Sequence, residues 1–203
     1  MKIFFSILFS LSPTLALADD PAQVERPNPK IGMRWQVQTL DGFTKVKQSE
    51  RTLVVASADD KVIRITDAEG AEAIVLDAAT FAVRDAGDRH FDPPLERMQF
   101  PLVVGKSWKQ AYTYNNSQCG KTQSELKFEV ARWEDITVPA GKLRALRIDS
   151  EGNWRNSCGR DRQSHKYWYV PDLGLIAKQE SQIWVGGRSY SFELQELMSR
   201  QMP

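Results

Sequence analysis

Period two dominates this chain from Gly32 onward. In "LKFEVARW", Leu126, Phe128 and Val130 share one face, and Lys127, Glu129 and Ala131 the other. In "YSFELQEL", Tyr190, Phe192 and Leu194 alternate with Ser191, Glu193 and Gln195. "KVIRIT" and "AIVLD" are short β-branched runs. Strict alternation over such lengths predicts half-buried antiparallel strands. Turn residues punctuate them at Asp41-Gly42, Asp59-Asp60, Glu69-Gly70, Asp85-Ala86-Gly87, Glu151-Gly152-Asn153 and Gly186-Gly187. No segment carries a convincing helical period. The nearest, "FDPPLERMQF", holds two prolines and is short. The expected fold is therefore all-β and antiparallel: a curved sheet, an open barrel or half-barrel, or a two-sheet sandwich.

Two proline corners look alike. In "VPAGKL", Pro139-Ala140 suits the centre of a type I turn, and Gly141 supplies the left-handed residue of a G1 bulge. In "YWYVPDLGLIAK", Pro171-Asp172 and Gly174 repeat that chemistry. Neither presents a nucleophile, a base or a ligand set, so both read as hairpin corners. The halves also echo each other. "GMRW" from Gly32 matches "GKSW" from Gly105, and "ITDAEG" matches "IDSEG". The expectation is a single domain of residues 32–203, in which these echoes are turns reused by chance or, as the alternative, a pseudo-repeat over residues 32–100 and 101–200.

The N-terminus changes the compartment. Lys2, an apolar run from Ile3 to Leu11 and Ala16-Leu17-Ala18 form the three regions of a secretory signal peptide, residues 1–18, with cleavage expected after Ala18. The run is too short to anchor in a membrane, and no cysteine follows the cut. A periplasmic or secreted protein is expected, with no integral membrane segment after cleavage. Residues 19–31 hold three prolines and read as an extended leader. Cleavage removes only Lys2 among charged residues, taking Lys+Arg from 27 to 26 against 26 Asp+Glu. A neutral chain with no basic stripe excludes nucleic acid as an expected partner.

Export puts Cys119 and Cys158 in an oxidising compartment, where an even count predicts a disulfide. Zinc needs three or four ligands, and the only histidines are His90 and His165, so no metal site is expected. No serine sits in G-x-S-x-G, no catalytic residue stands out, and no cofactor is expected. Aromatic residues crowd the second half. A concave face carrying Trp133, Tyr167, Trp168, Tyr169 and Trp184 would suit a lipid or another small amphipathic ligand.

Gly105-x-x-Trp108, Val138-Pro139-Ala140-Gly141 and Trp168-Tyr169-x-Pro171-x-x-Gly174 together resemble a family of secreted bacterial β-rich proteins known mainly as a domain of unknown function. The resemblance covers about Phe100 to Gln182 and departs at Leu143, where an aromatic residue is expected, and in the two added cysteines. It implies a curved antiparallel sheet or open barrel and an envelope location, and no catalytic residue. The expected function is a non-enzymatic exported binding or scaffold protein. The alternatives are a structural or partner-binding envelope protein acting through strand edges, and a hydrolase with an unrecognised site, which would require His90 or His165 in a cleft beside a carboxylate or hydroxyl.

Overall fold

A computed structural model describes residues 20–201. The proposed signal peptide lies outside the described residues. Twelve strands follow one another as an antiparallel meander: β1 (Arg34–Asp41), β2 (Lys47–Ala58), β3 (Val62–Asp67), β4 (Glu72–Asp77), β5 (Val83–Ala86), β6 (Arg89–Leu95), β7 (Ser107–Asn116), β8 (Gly120–Val138), β9 (Gly141–Asn156), β10 (Gly159–Val170), β11 (Leu175–Val185) and β12 (Arg188–Gln201). Each pairs with the next, and β1 pairs with β12 from Arg34↔Gln201 to Asp41↔Glu193, closing the ring. The all-β antiparallel class is as the alternation predicted, and the sheet forms a barrel that is closed rather than open. Closure removes the free edges on which an edge-binding scaffold depends.

Inward positions are mostly apolar towards one end of the barrel, and outward ones are mostly polar. Leu126, Phe128, Val130, Leu146 and Ile148 are buried in the lumen. Outward pairs such as Lys127–Glu129 and Arg64–Glu72 face solvent. A barrel in a membrane has the reverse arrangement.

One end of the barrel, called here the base, holds the β2–β3, β4–β5, β6–β7, β8–β9 and β10–β11 connections. The other end, the rim, holds the remaining turns and the Cys119–Cys158 disulfide, which ties the β7–β8 turn to the β9–β10 turn. The proline corners are at the base. Val138 pairs with Gly141 around Pro139-Ala140, and Gly141 has φ 123°. Gly174, at φ 66°, donates its N–H to Val170 O at 2.9 Å.

The end of the β8–β9 hairpin exchanges its faces. Arg144 and Asp135, in phase with lumen-facing Leu146, are exposed, whereas Ile136, Val138 and Ala145 are buried. The Ala140 N–H reaches Leu197 O on β12 at 3.1 Å. The hairpin end thus turns over and packs its other side against the barrel. This accounts for the shifted apolar phase in "KLRALRI".

The weakest seam is β6–β7, with only Phe91↔Tyr114 and Asp92↔Thr113 in register. Pro93 and Pro94 lack N–H donors there. Side chains complete the seam instead. Gln110 Nε2 donates to Pro94 O at 2.7 Å, and Gln110 Oε1 accepts from Glu96 N at 2.9 Å. The "FDPPLERMQF" stretch is therefore strand β6 followed by a loop, residues 96–106, that plugs the base. Within this plug Met98 and Leu102 are buried, and the Phe100 ring lies 5.7 Å from Tyr169.

The leader is extended and also packed. Val24 and Leu102 exchange backbone hydrogen bonds at 2.8 and 2.9 Å, Arg26 donates to Ala79 O, and Asp20 pairs with Arg144. Residues 20–30 thus cross the base and strap the plug in place.

Candidate functional site

The lumen is not filled throughout. Above the plug lies an apolar chamber of about 120 Å³, walled by inward residues of β1–β4 such as Trp35, Val55, Ile63 and Leu76, with Met98 below. Towards the rim lies a polar chamber of about 350 Å³, with Thr39, Arg51, Ser181 and Glu193 in its wall. The chambers share Leu53, Ile74, Arg97, Gln179 and Gln195 and so form one lumen. Its polarity follows from strand phase: β1 runs from Trp35 and Val37 at the base to Thr39 near the rim, and β2 from Val55 and Leu53 up to Arg51.

Arg97 stands where the chambers meet. It comes from the plug, not from a strand. Its backbone neighbour Glu96 is clamped by Gln110 and by Trp108 Nε1, which donates to Glu96 O at 3.0 Å. The Arg97 guanidinium carbon sits 5.8 Å from the centre of the Tyr167 ring. Its Nε is buried without a hydrogen-bond partner. Ser124 and Ser150 also present buried hydroxyls to the interior.

His165 faces the same interior. Its Nδ1 lies 3.0 Å from Ser181 Oγ, which also accepts from Gln179 Nε2 at 2.9 Å. Burial, then the charge of Arg97, lowers the His165 pKa to about 4. An unfolded histidine titrates near ~6.5. The unfolded chain therefore takes up a proton that the native state refuses. This part of the stability is complete above about pH 6.5 and is lost as pH falls towards 4. Urea unfolding should show a lower midpoint at pH 5 than at pH 7.5, and His165→Gln should shrink that difference. An unchanged difference would mean that His165 is not held neutral.

The aromatic residues singled out in the sequence do not form one concave face. Tyr167 and Tyr169 point inward and are buried, with burial raising both phenol pKa values. Trp133, opposite Leu146, also lies on the lumen phase and packs against the core. Trp168 points outward but is only 5% exposed. Its Nε1 donates to Glu134 at 2.7 Å, and Lys178 lies over its ring. Trp184 stacks on Arg162 at 4.4 Å, away from these. None of the five lines the two chambers. Cys119 and Cys158 form the disulfide. His90 contacts Asp85 at 2.7 Å on the exposed rim. Among the described residues, no cluster of His, Cys, Asp or Glu is placed to hold a metal, and no helix is long and apolar enough to cross a membrane.

No family model and no curated protein matches this sequence. Solved structures share its architecture. A Bacteroides fragilis protein inferred to be exported, and described as having a YmcC-like fold, aligns over 89% of this chain and 100% of its own, with TM-score 0.57 and 12% identity. A Parabacteroides distasonis protein inferred to be a lipoprotein aligns over 90% and 100%, with TM-score 0.56 and 13% identity. At such identities the likeness is one of fold.

Proposed function

We propose that this is an exported, non-enzymatic protein of the cell envelope that holds a small amphipathic molecule inside its barrel. The observation that carries the reading is the lumen itself, apolar at the base and polar towards the rim, in a closed and water-facing barrel. Export is supported by the N-terminal pattern, by the disulfide and by the exported and lipoprotein descriptions of the structural neighbours. The resemblance of the turn motifs to secreted β-rich proteins agrees with it. The binding place differs from the aromatic set read in the sequence, because the unfilled volume lies under β1–β4 instead.

The test uses protein purified from an export host. Its mass is recorded under native and then denaturing conditions. An excess mass that vanishes on denaturation, and that solvent extraction recovers as an amphiphile, is the expected result. A bare native mass from several hosts would remove the carrier reading.

A second reading has one observation in its favour. Ser181 and His165 form a hydroxyl–imidazole pair inside the lumen, the arrangement a hydrolase needs. The depressed pKa makes His165 a weak general base, which is why binding is preferred. Turnover of p-nitrophenyl esters that disappears in Ser181→Ala would reverse the preference.

A further inference from the structure

We propose that the bound amphiphile is anionic, and that Arg97 is the residue that takes its headgroup. This inference rests on the lumen reading above and adds the chemistry of the ligand. Arg97 lines both chambers at their boundary. A chain lying in the apolar chamber has its head at the guanidinium.

The charge of Arg97 has no counterpart. No ion pair or hydrogen bond from its side chain occurs among the described residues, and its Nε is shut from solvent. Its neighbours at the boundary are neutral: Leu53, Ile74, Gln179, Gln195 and the face of Tyr167. A cation in such surroundings is costly unless an anion or several acceptors meet it. The carboxylates in the polar chamber wall are Glu193 and Asp88, and neither pairs with it. The other cations there, Arg51 and Arg89, are exposed and stand nearer the rim. Glu193 and Asp88 match them in number, so Arg97 is the excess charge of the chamber wall and the one that suits capture of an anion. The β5–β6 turn at Gly87 and Asp88 is exposed and gives the polar chamber its contact with solvent.

Arg97 is also held in place. The plug that carries it is fixed by Gln110 and Trp108 on one side. Lys106 holds the other side, donating to Gln99 O and Pro101 O. A pre-positioned fork of donors fits the two oxygens of a carboxylate or the oxygens of a phosphate ester. Size sets the tail. A cavity of roughly 150 Å³ takes a six-carbon ring, so the apolar chamber takes about five carbons. Octanoate then fits with the last five carbons of its chain in the apolar chamber, the two methylenes next to the carboxylate beside Leu53 and Ile74 at the boundary, and the carboxylate at Arg97.

The experiment compares octanoate with 1-octanol, using the methyl NMR signals of Met33 and Met98, both in the apolar chamber wall. In the wild type both probes should shift these signals, and octanoate should bind about tenfold more tightly or better. Arg97→Met keeps an unbranched apolar stem, removes the guanidinium, and should abolish that preference while leaving 1-octanol unchanged. Arg97→Lys should keep part of it, which separates loss of charge from loss of fold. Equal binding of the two probes, or an octanoate affinity untouched by Arg97→Met, would overturn the inference and leave the carrier reading standing. No shift with either probe would overturn both.

Discussion

Gly152→Ala should lower the melting temperature by roughly 10 °C, the loss of about 3 kcal/mol. Gly152 lies on β9 opposite Leu126 of β8, where the two longest strands press together. A methyl group at this position would sit 1.9 Å from the backbone oxygen of Glu125 and 2.9 Å from its carbonyl carbon. Both atoms belong to the backbone of a paired strand, so no rotamer change relieves the overlap. The ladder itself must spread, and the buried neighbours Leu126 and Phe128 must move with it. Gly141→Ala is the matched control. It is a left-handed position with open space around it, so only backbone strain of about 1 to 2 kcal/mol is expected. Differential scanning calorimetry of both variants decides the matter. Equal losses would mean that strand spacing at Gly152 does not limit the barrel.

Removing the disulfide should cost about 4 kcal/mol on the chain-entropy model. Cys119 and Cys158 are 39 residues apart in sequence, so the bond closes a long loop of the unfolded chain. That loop contains the whole of β8 and β9. The bond spans two rim turns that also meet at Ser157, whose Oγ and N–H donate to Cys119 O at 2.7 and 3.4 Å. Denaturation of the double variant Cys119→Ser/Cys158→Ser against the oxidised wild type measures the effect. A loss under about 1 kcal/mol would show that the unfolded chain is already compact between these positions.

Several features of this molecule could be read from the sequence because they are local. Alternation in "LKFEVARW" places Leu126, Phe128 and Val130 inward, and the structure buries all three. The proline corners need only a few residues each, and they fall where the turn chemistry puts them. The two cysteines had one possible partner each. Closure was not legible, because it depends on β1 meeting β12 across the whole chain, and nothing in "RWQVQTLD" marks it as a closing strand. The candidate site differs from the aromatic set for a related reason. Aromatic density drew attention to β10, whose residues are large enough to fill their space. The unfilled volume lies under smaller side chains, and no sequence pattern records a volume. One signal was present. In "PPLERMQF" a single arginine stands among Leu95, Met98 and Phe100 in a segment with no regular period, and such a charge must either escape to solvent or have a use.

The seam between β1 and β12 also orders events in time. The chain emerges from its N-terminus, and β1 is available long before its second partner exists. Until the last strand is complete, the nascent sheet presents β1 and β11 as unpaired edges in register for strand addition. The contacts that close the ring join residues more than 150 positions apart, as in Gln38 with Glu196, so closure is the slow, late step of a high-contact-order fold. A message truncated before Arg188 does not yield a smaller barrel. It yields an open sheet with two sticky margins, and cellular quality control meets that species and not a folded fragment.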